Sequence, residues 1–242
     1  TRSDHIVLGL SKEISKASSI SLEGFYKKYS NYPVSIRDGV SIANKGGGFE
    51  VLGNEPISTD GKGESYGLEF LFQQKLTKNF YGIFSYTFFY SKFSGEEVDE
   101  YLPSVWDSRH LFSFTGGYKF KRNWELSLRW RFAGKNPFVP VDIDATTPIY
   151  PNIVLDYSKL GDEKLKVFSQ VDLRIDKKWN FKRVALNLFF EAQNVLFQNS
   201  PQAKQYGLNR NLDGSIIEPR QLIEISDDSN SLIPVIGIVL DF

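Results

Sequence analysis

The chain closes on Val235-Ile-Gly-Ile-Val-Leu-Asp-Phe242. Ile236, Ile238, Leu240 and Phe242 share one parity, and Val235, Gly237, Val239 and Asp241 share the other. Successive side chains of a strand point to opposite faces, so one face of this ribbon is wholly apolar. It ends on an aromatic ring, the kind of side chain that settles at a membrane–water interface. The stretch predicts the final strand of an outer-membrane type β-barrel, buried in lipid, with Phe242 at the periplasmic rim. Strands of such barrels alternate apolar-out with polar-in.

Working outward, period-two alternation marks nine strand candidates. They lie near residues 4–12, 18–30, 63–76, 80–93, 108–120, 124–134, 167–177, 183–196 and 231–242. Most exceed the five or six residues typical of globular strands and suit a tilted membrane strand of roughly 9–11 residues. No sustained helical stripe with a cap before it occurs. The connections alternate in length. Short ones fall near Ser15–Ala17, Thr77–Asn79, Lys121–Asn123 and Lys178–Lys182, and long ones at 31–62, 94–107, 135–166 and 197–230. Barrels of this type have short periplasmic turns and long outer loops. With Phe242 at the periplasmic rim, every long connection lands outside and every short one inside.

Composition agrees without deciding. The 242 residues include no cysteine and no methionine, carry formal net charge zero, and are 24% charged and 15% aromatic. Without cysteine there are no disulfides or thiolate metal sites. Zero net charge supplies no long-range field toward nucleic acid or anionic lipid, and no nucleic-acid partner is expected. The chain starts at Thr1 without an initiator Met or signal peptide, so it is expected to be a processed or truncated piece of something longer. No stretch approaches the roughly 18 apolar residues of a membrane helix; the most apolar run, Leu232 to Leu240, is short and contains Pro234. The mildly negative mean hydropathy is what alternating strands average to.

The faces are explicit in strand six. Trp124, Leu126, Leu128, Trp130 and Phe132 oppose Glu125, Ser127, Arg129 and Arg131. Charges on the polar faces include Glu69, Glu125, Arg129, Arg131, Asp172, Arg174, Asp176 and Glu191. Facing lipid near the midplane, a cation would cost roughly 2–4 kcal/mol, so these side chains are expected to face a wet lumen or a plug. Phe80, Tyr81, Tyr118, Phe120, Trp124, Trp179, Phe181 and Phe242 gather at the expected periplasmic ends, with Tyr90 and Phe93 opposite, and suggest aromatic girdles. A soluble sandwich would also alternate, with shorter strands and less lopsided turns.

Nine antiparallel strands leave the first and last running the same way, whereas single-chain bacterial barrels have even strand counts. An open sheet in lipid leaves unpaired backbone groups that hydrocarbon does not tolerate. Residues 1–242 are therefore expected to be one partial domain, the C-terminal portion of a larger all-β transmembrane antiparallel barrel. The missing strands would precede Thr1 or lie on a companion chain.

Several segments carry a family resemblance. They are His5-Ile-Val-Leu-Gly-Leu, Leu22-Glu-Gly-Phe-Tyr-Lys-Lys-Tyr, and Ser65-Tyr-Gly-Leu-Glu-Phe-Leu-Phe-Gln with Gly67 and Glu69 at its centre. Further on come Phe84-Ser-Tyr-Thr-Phe, Leu102-Pro, Asp107-Ser-Arg-His110 and Trp130-Arg-Phe-Ala-Gly-Lys-Asn-Pro137. Val171-Asp-Leu-Arg-Ile-Asp-Lys-Lys-Trp179, Phe190-Glu-Ala-Gln-Asn-Val-Leu-Phe197 and Gly237 to Phe242 complete the set. In order and spacing the chain resembles the late strands of TonB-dependent outer-membrane receptors, particularly the Bacteroidetes type. The resemblance implies a 22-stranded barrel closed by an N-terminal plug, of which this chain would hold the last nine strands. It implies an outer-membrane location and partners: outer-membrane lipid, the missing strands and plug, the inner-membrane TonB complex through the parent protein, and in some members a surface lipoprotein.

No catalytic constellation is present, and no enzyme activity, metal or cofactor is expected. His5 and His110 are far apart and lack metal-ligand spacing; His110, at a loop-to-strand junction, is read as structural. Gly46-Gly-Gly48 is read as a flexible turn, and Glu224 with Asp227 and Asp228 as a solvated loop. The ligand-binding candidates are outer-loop aromatics: Tyr101, Trp106, Tyr150 and Tyr157. Pro137, Pro140, Pro148 and Pro151 stiffen the third long loop. The expected function is part of an active importer of a siderophore, cobalamin, glycan or peptide. The alternatives are a passive porin-type channel or a soluble β-sandwich binding module.

Overall fold

The short connections set the architecture. Lys78, Arg122 and Asn123 take positive φ at two of them, which lets a strand reverse within a few residues. Phe120 N–H closes one such turn on the Trp124 carbonyl at 2.7 Å. The structure is a computed structural model that describes residues 1–45, 55–95, 100–225 and 230–242. Gly46-Gly-Gly48 and the Asp227-Asp228 pair lie outside the described residues.

Twelve strands occur among the described residues: β1 (Arg2–Ser15), β2 (Ser18–Ser35), β3 (Ile57–Thr77), β4 (Phe80–Ser94), β5 (Tyr101–Pro103), β6 (His110–Lys119), β7 (Trp124–Ala133), β8 (Phe168–Asn180), β9 (Ala185–Gln193), β10 (Gln205–Leu208), β11 (Leu222–Ile225) and β12 (Ile233–Asp241). The nine expected from alternation form one antiparallel sheet in the order β1-β2-β3-β4-β6-β7-β8-β9-β12. β5 adds to the upper end of β4, and β10 pairs with β11 as a separate hairpin. These three short strands fall within what the alternation assigns to loops. β1 and β12 do not pair with each other, so the barrel is open.

β2 and β3 run beyond their expected ends, to Ser35 and from Ile57. Their register shifts between Tyr29 and Tyr32 and again between Tyr32 and Val34, with Asn31 at φ 53°. Such a bulge breaks the parity pattern while pairing continues, which is why the sequence signal stops near Ser30.

Register joins the apolar faces into one surface. Ile20, Phe72, Phe84, Phe114, Trp130 and Val171 follow one another across six strands. Ring contacts run Phe70–Phe84, Phe84–Phe112 and Phe112–Trp130, the last at 4.4 Å. Ile236 is 72% and Leu68 53% exposed. In water a patch of this extent would be an aggregation site; hydrocarbon is the solvent that suits it.

From β2 to β12 the charged side chains of this face stand only at its two ends. At the short-turn end Lys177 lies between the Trp124 and Trp179 rings, 5.3 and 5.5 Å from their centroids, and donates to the Arg122 carbonyl. At the other end Tyr26, Tyr66 and Tyr90 stack across three strands, and Lys28, Glu64 and Lys92 stand in register one step beyond them. Between these levels β7 contributes Trp124 to Phe132, a length that spans hydrocarbon when tilted.

The packed interior is elsewhere. Val34, Ala43, Phe93, Val139, Leu160 and Leu208 are its buried apolar residues, and all lie at or above the upper ends of the strands. The long connections pack on one another there, aided by the one-turn helices α1 (Ile42–Lys45) and α2 (Ile143–Thr146).

Candidate functional site

The second face of the sheet carries the polar chemistry. Antiparallel register sets Arg129 opposite Asp172 and Arg174 opposite Glu191. Asp172 is the hub. Only 3% exposed, it accepts from Arg129 Nε at 2.8 Å, Gln170 Nε2 at 2.8 Å and the Asn194 backbone N–H at 2.9 Å. Arg131 approaches the same carboxylate at 3.8 Å, and Glu191 stands 3.8 Å from both Arg129 and Arg174. Arg174 also pairs with Asp176 at 2.7 Å and lays its guanidinium 3.7 Å above the Phe189 ring. Buried carboxylates need partners of this kind. The Arg129 and Arg131 side chains stay 43% and 45% exposed, so the network keeps cations on offer to whatever fills the interior.

Of the expected lumen-facing set, Arg129, Arg131, Asp172, Arg174 and Glu191 form this network. Glu125 lies on the same face lower down, accepting from the Tyr81 hydroxyl and 3.6 Å from Lys119. Glu69 stands apart on β3, opposite Glu23. Toward the short turns the face opens into a hollow of about 420 Å³ bordered by Tyr81, Lys119, Glu125, Arg174, Asp176 and Lys178. Two girdle assignments are thereby corrected. Tyr81 bonds Glu125, and Phe93 is buried against Tyr29 and Tyr32 at 5.2 and 4.5 Å. Both have the parity of the polar face. Phe80, Tyr118, Phe120, Trp124, Trp179, Phe181 and Phe242 are exposed, as the girdle requires.

Above the sheet a buried ion cluster organises the mouth. Lys45, its side chain 4% exposed, donates to Asp38 and, at 2.6 Å, to Glu55. Ser35 donates to Glu55 at 2.5 Å, and Arg37 pairs with Asp38 at 3.1 Å. The Lys45 bond is the main reason the Glu55 carboxyl is held below its usual range. Burial opposes ionisation of Asp38, but bonds from Arg37 and Lys45 outweigh it and lower its pKa as well. Lys45 lies 5.7 Å from the Tyr157 ring, so the cluster ties the first long connection to the third. Asn44, fully buried, donates to the Leu102 and Pro103 carbonyls at 3.1 and 2.8 Å, tying in the second. Sequence reasoning missed this cluster, because nothing local marks residues 35, 38, 45 and 55 as neighbours.

The four aromatic candidates are dispersed. Tyr157 is half-buried against Lys45, and burial raises its pKa. Tyr150 donates to the Tyr206 carbonyl at 3.4 Å, linking the third long connection to the β10–β11 hairpin. Trp106 is 53% exposed between β5 and β6. Tyr101 lies 5.6 Å from Lys92, at the long-loop end of β4. His110 bonds Tyr86 through Nδ1 at 2.7 Å on the apolar face, and His5 bonds Ser3 at 2.5 Å. Glu224 pairs with Lys204 at 3.0 Å.

A protein-family model described as TonB dependent receptor-like, beta-barrel, matches residues 2–195. The ferric citrate transporter FecA, unliganded, superposes with a TM-score of 0.61 at 14% identity, over 99% of this chain and 31% of that one. The siderophore receptor PiuA from Acinetobacter baumannii superposes with a TM-score of 0.58 at 10% identity, over 98% of this chain and 28% of that one. The ferripyoverdine receptor of the Pseudomonas aeruginosa outer membrane gives 0.57 at 14% identity, over 98% and 27%. At these identities the likeness is one of fold, and the chain spans less than a third of each neighbour. No curated protein matches it.

Proposed function

Because the chain belongs to the TonB dependent receptor-like β-barrel family, an outer-membrane family, we propose that it is the C-terminal wall and outer mouth of an energised nutrient importer. A parent protein would supply the remaining strands and a plug that answers to TonB. Residues 1–242 would form one partial domain of that barrel. The cargo would be a siderophore, cobalamin, glycan or peptide, met at the mouth by Trp106, Tyr150 and Tyr157, with Tyr101 on the rim.

The observation that carries this reading is the inner-face network. Arg129 and Arg131 hold half-exposed guanidinium groups beside a buried Asp172, an arrangement suited to a polar plug or a passing anionic solute. Glu69, Glu125, Arg174 and Glu191 complete the same face. The test is uptake by cells expressing the full-length receptor, with and without TonB, offered labelled ferric siderophores, cobalamin, glycans and peptides. Accumulation of one class that requires both receptor and TonB is expected. Accumulation that persists without TonB would replace the importer with a passive channel. Trp106→Ala should raise the concentration needed for half-maximal uptake without lowering the amount of folded receptor.

A further inference from the structure

Gly24 interrupts the apolar face of the wall. Its missing side chain leaves a groove of about 450 Å³ whose floor and sides include Ile6, Leu8, Leu68 and Phe88. The groove is roofed toward the long loops by Tyr26, Tyr66 and Tyr90. A Cβ on Gly24 would stand 3.4 Å from the Leu68 side chain, an ordinary contact. Backbone geometry does not demand glycine here; the space itself is the feature.

One step beyond the tyrosines, register places Asp4, Lys28, Glu64 and Lys92 in a row across β1 to β4. Asp4 is taken by Arg2 at 3.0 Å. Glu64 is taken by Lys92 at 2.9 Å and by the Tyr26 hydroxyl at 3.1 Å. Lys28 is exposed and makes no ion pair among the described residues. The row itself is balanced, two cations against two carboxylates. With Arg2 counted beside Asp4 there are three cations, which leaves Lys28 as the unmatched one, directly above an apolar groove at the long-loop end of the wall. A lysine there attracts phosphate as a point charge, and the groove accepts hydrocarbon.

We propose that Gly24 and Lys28 together seat one phosphate-bearing lipid of the external leaflet, an acyl chain lying over Gly24 and a phosphate held at Lys28. The leaflet assignment rests on the outward placement of the long loops in the proposed function. Neither residue lies on the inner face or in the loops assigned to cargo.

The test is native mass spectrometry of the full-length receptor in detergent, titrated with bis-phosphorylated lipid A and with its dephosphorylated form. The wild-type receptor should retain one phosphorylated lipid. Gly24→Leu, which fills the groove, should abolish that adduct while the protein keeps its folded, heat-modifiable mobility. Lys28→Gln should weaken retention of the phosphorylated form about two- to fivefold, the size of one exposed ion contact, and leave the dephosphorylated form unchanged. Equal retention by all three proteins would overturn the seat. Loss with Gly24→Leu but no effect of Lys28→Gln would overturn the phosphate contact. Uptake by both variants should match wild type, so failure here is separable from failure of the importer reading.

Discussion

Lys45 shows how much one side chain can fix in this molecule. Among the described residues two cations pair with Asp38 and Glu55 at the base of the first long connection: the buried Lys45 ammonium and the mostly exposed Arg37. Lys45→Met would keep the volume and leave two largely buried carboxylates poorly compensated, a change that costs about 3–5 kcal/mol when a buried pair is broken. Hydrogen exchange at residues 39–45 should accelerate, while that of the wall strands stays as in wild type. The cluster also sets a pH dependence. Both carboxyls have folded pKa values below their ordinary ones, so their support is complete above about pH 4 and is lost as pH falls through the lowered values. Burial pulls the Lys45 pKa down, and bonds to Asp38 and Glu55 more than restore it, leaving it raised. Its support is present below about pH 10.4 and is lost as pH rises through the raised value. Protection of this segment should thus be flat across neutral pH and fall at both extremes; a step near pH 6 or 7 would contradict the assignment.

At the scale of the strand, each ribbon separates two solvents. Leu128 sits between Gly116 and Leu173 on the apolar face, and Ser127 between Gly117 and Arg174 on the polar one. Leu128→Arg should therefore lose roughly 2–4 kcal/mol and fold poorly into vesicles. Ser127→Arg should fold with near wild-type yield, since Glu125 and Asp176 stand on the same face. Equal yields would refute the facing. This two-solvent division was legible in the sequence because alternation at period two repeats over nine segments; the lengths of the turns supply only the proposed sidedness. Tyr81 and Phe93 were misplaced by counting their distance from strand ends; parity alone puts them with Glu125 and Ser91. The short strands β5, β10 and β11 were not legible, since three or four residues carry too little pattern. The Lys45 cluster depends on how the first long connection folds back on itself, and the Asp4–Lys28–Glu64–Lys92 row on register between strands; a single sequence leaves both unspecified. Of the proposed ligand aromatics, Tyr157 and Tyr150 lie in the mouth because their connection packs on others, a tertiary fact.

For the whole molecule, the open sheet is the governing fact. β1 and β12 are its edges, run in the same direction, and present backbone groups that hydrocarbon cannot satisfy. Stable insertion in the outer membrane then calls for further strands, which we assign to the parent barrel. The absence of cysteine from these residues makes the sidedness testable. In a full-length receptor free of other cysteines, Leu212→Cys at the tip beyond β10 should react with a membrane-impermeant maleimide on intact cells. Lys78→Cys, in the β3–β4 turn, should react only after the outer membrane is permeabilised. The reverse pattern would invert the molecule.

The division of the wall between lipid and water is tested most directly by spin labels placed singly at residues 125 to 130 of the full-length receptor in bilayers. Collision rates with oxygen should peak at 126, 128 and 130, and collision rates with a water-soluble nickel chelate at 125, 127 and 129. Loss of that alternation, or water access to both sets alike, would mean that this sheet is no membrane wall.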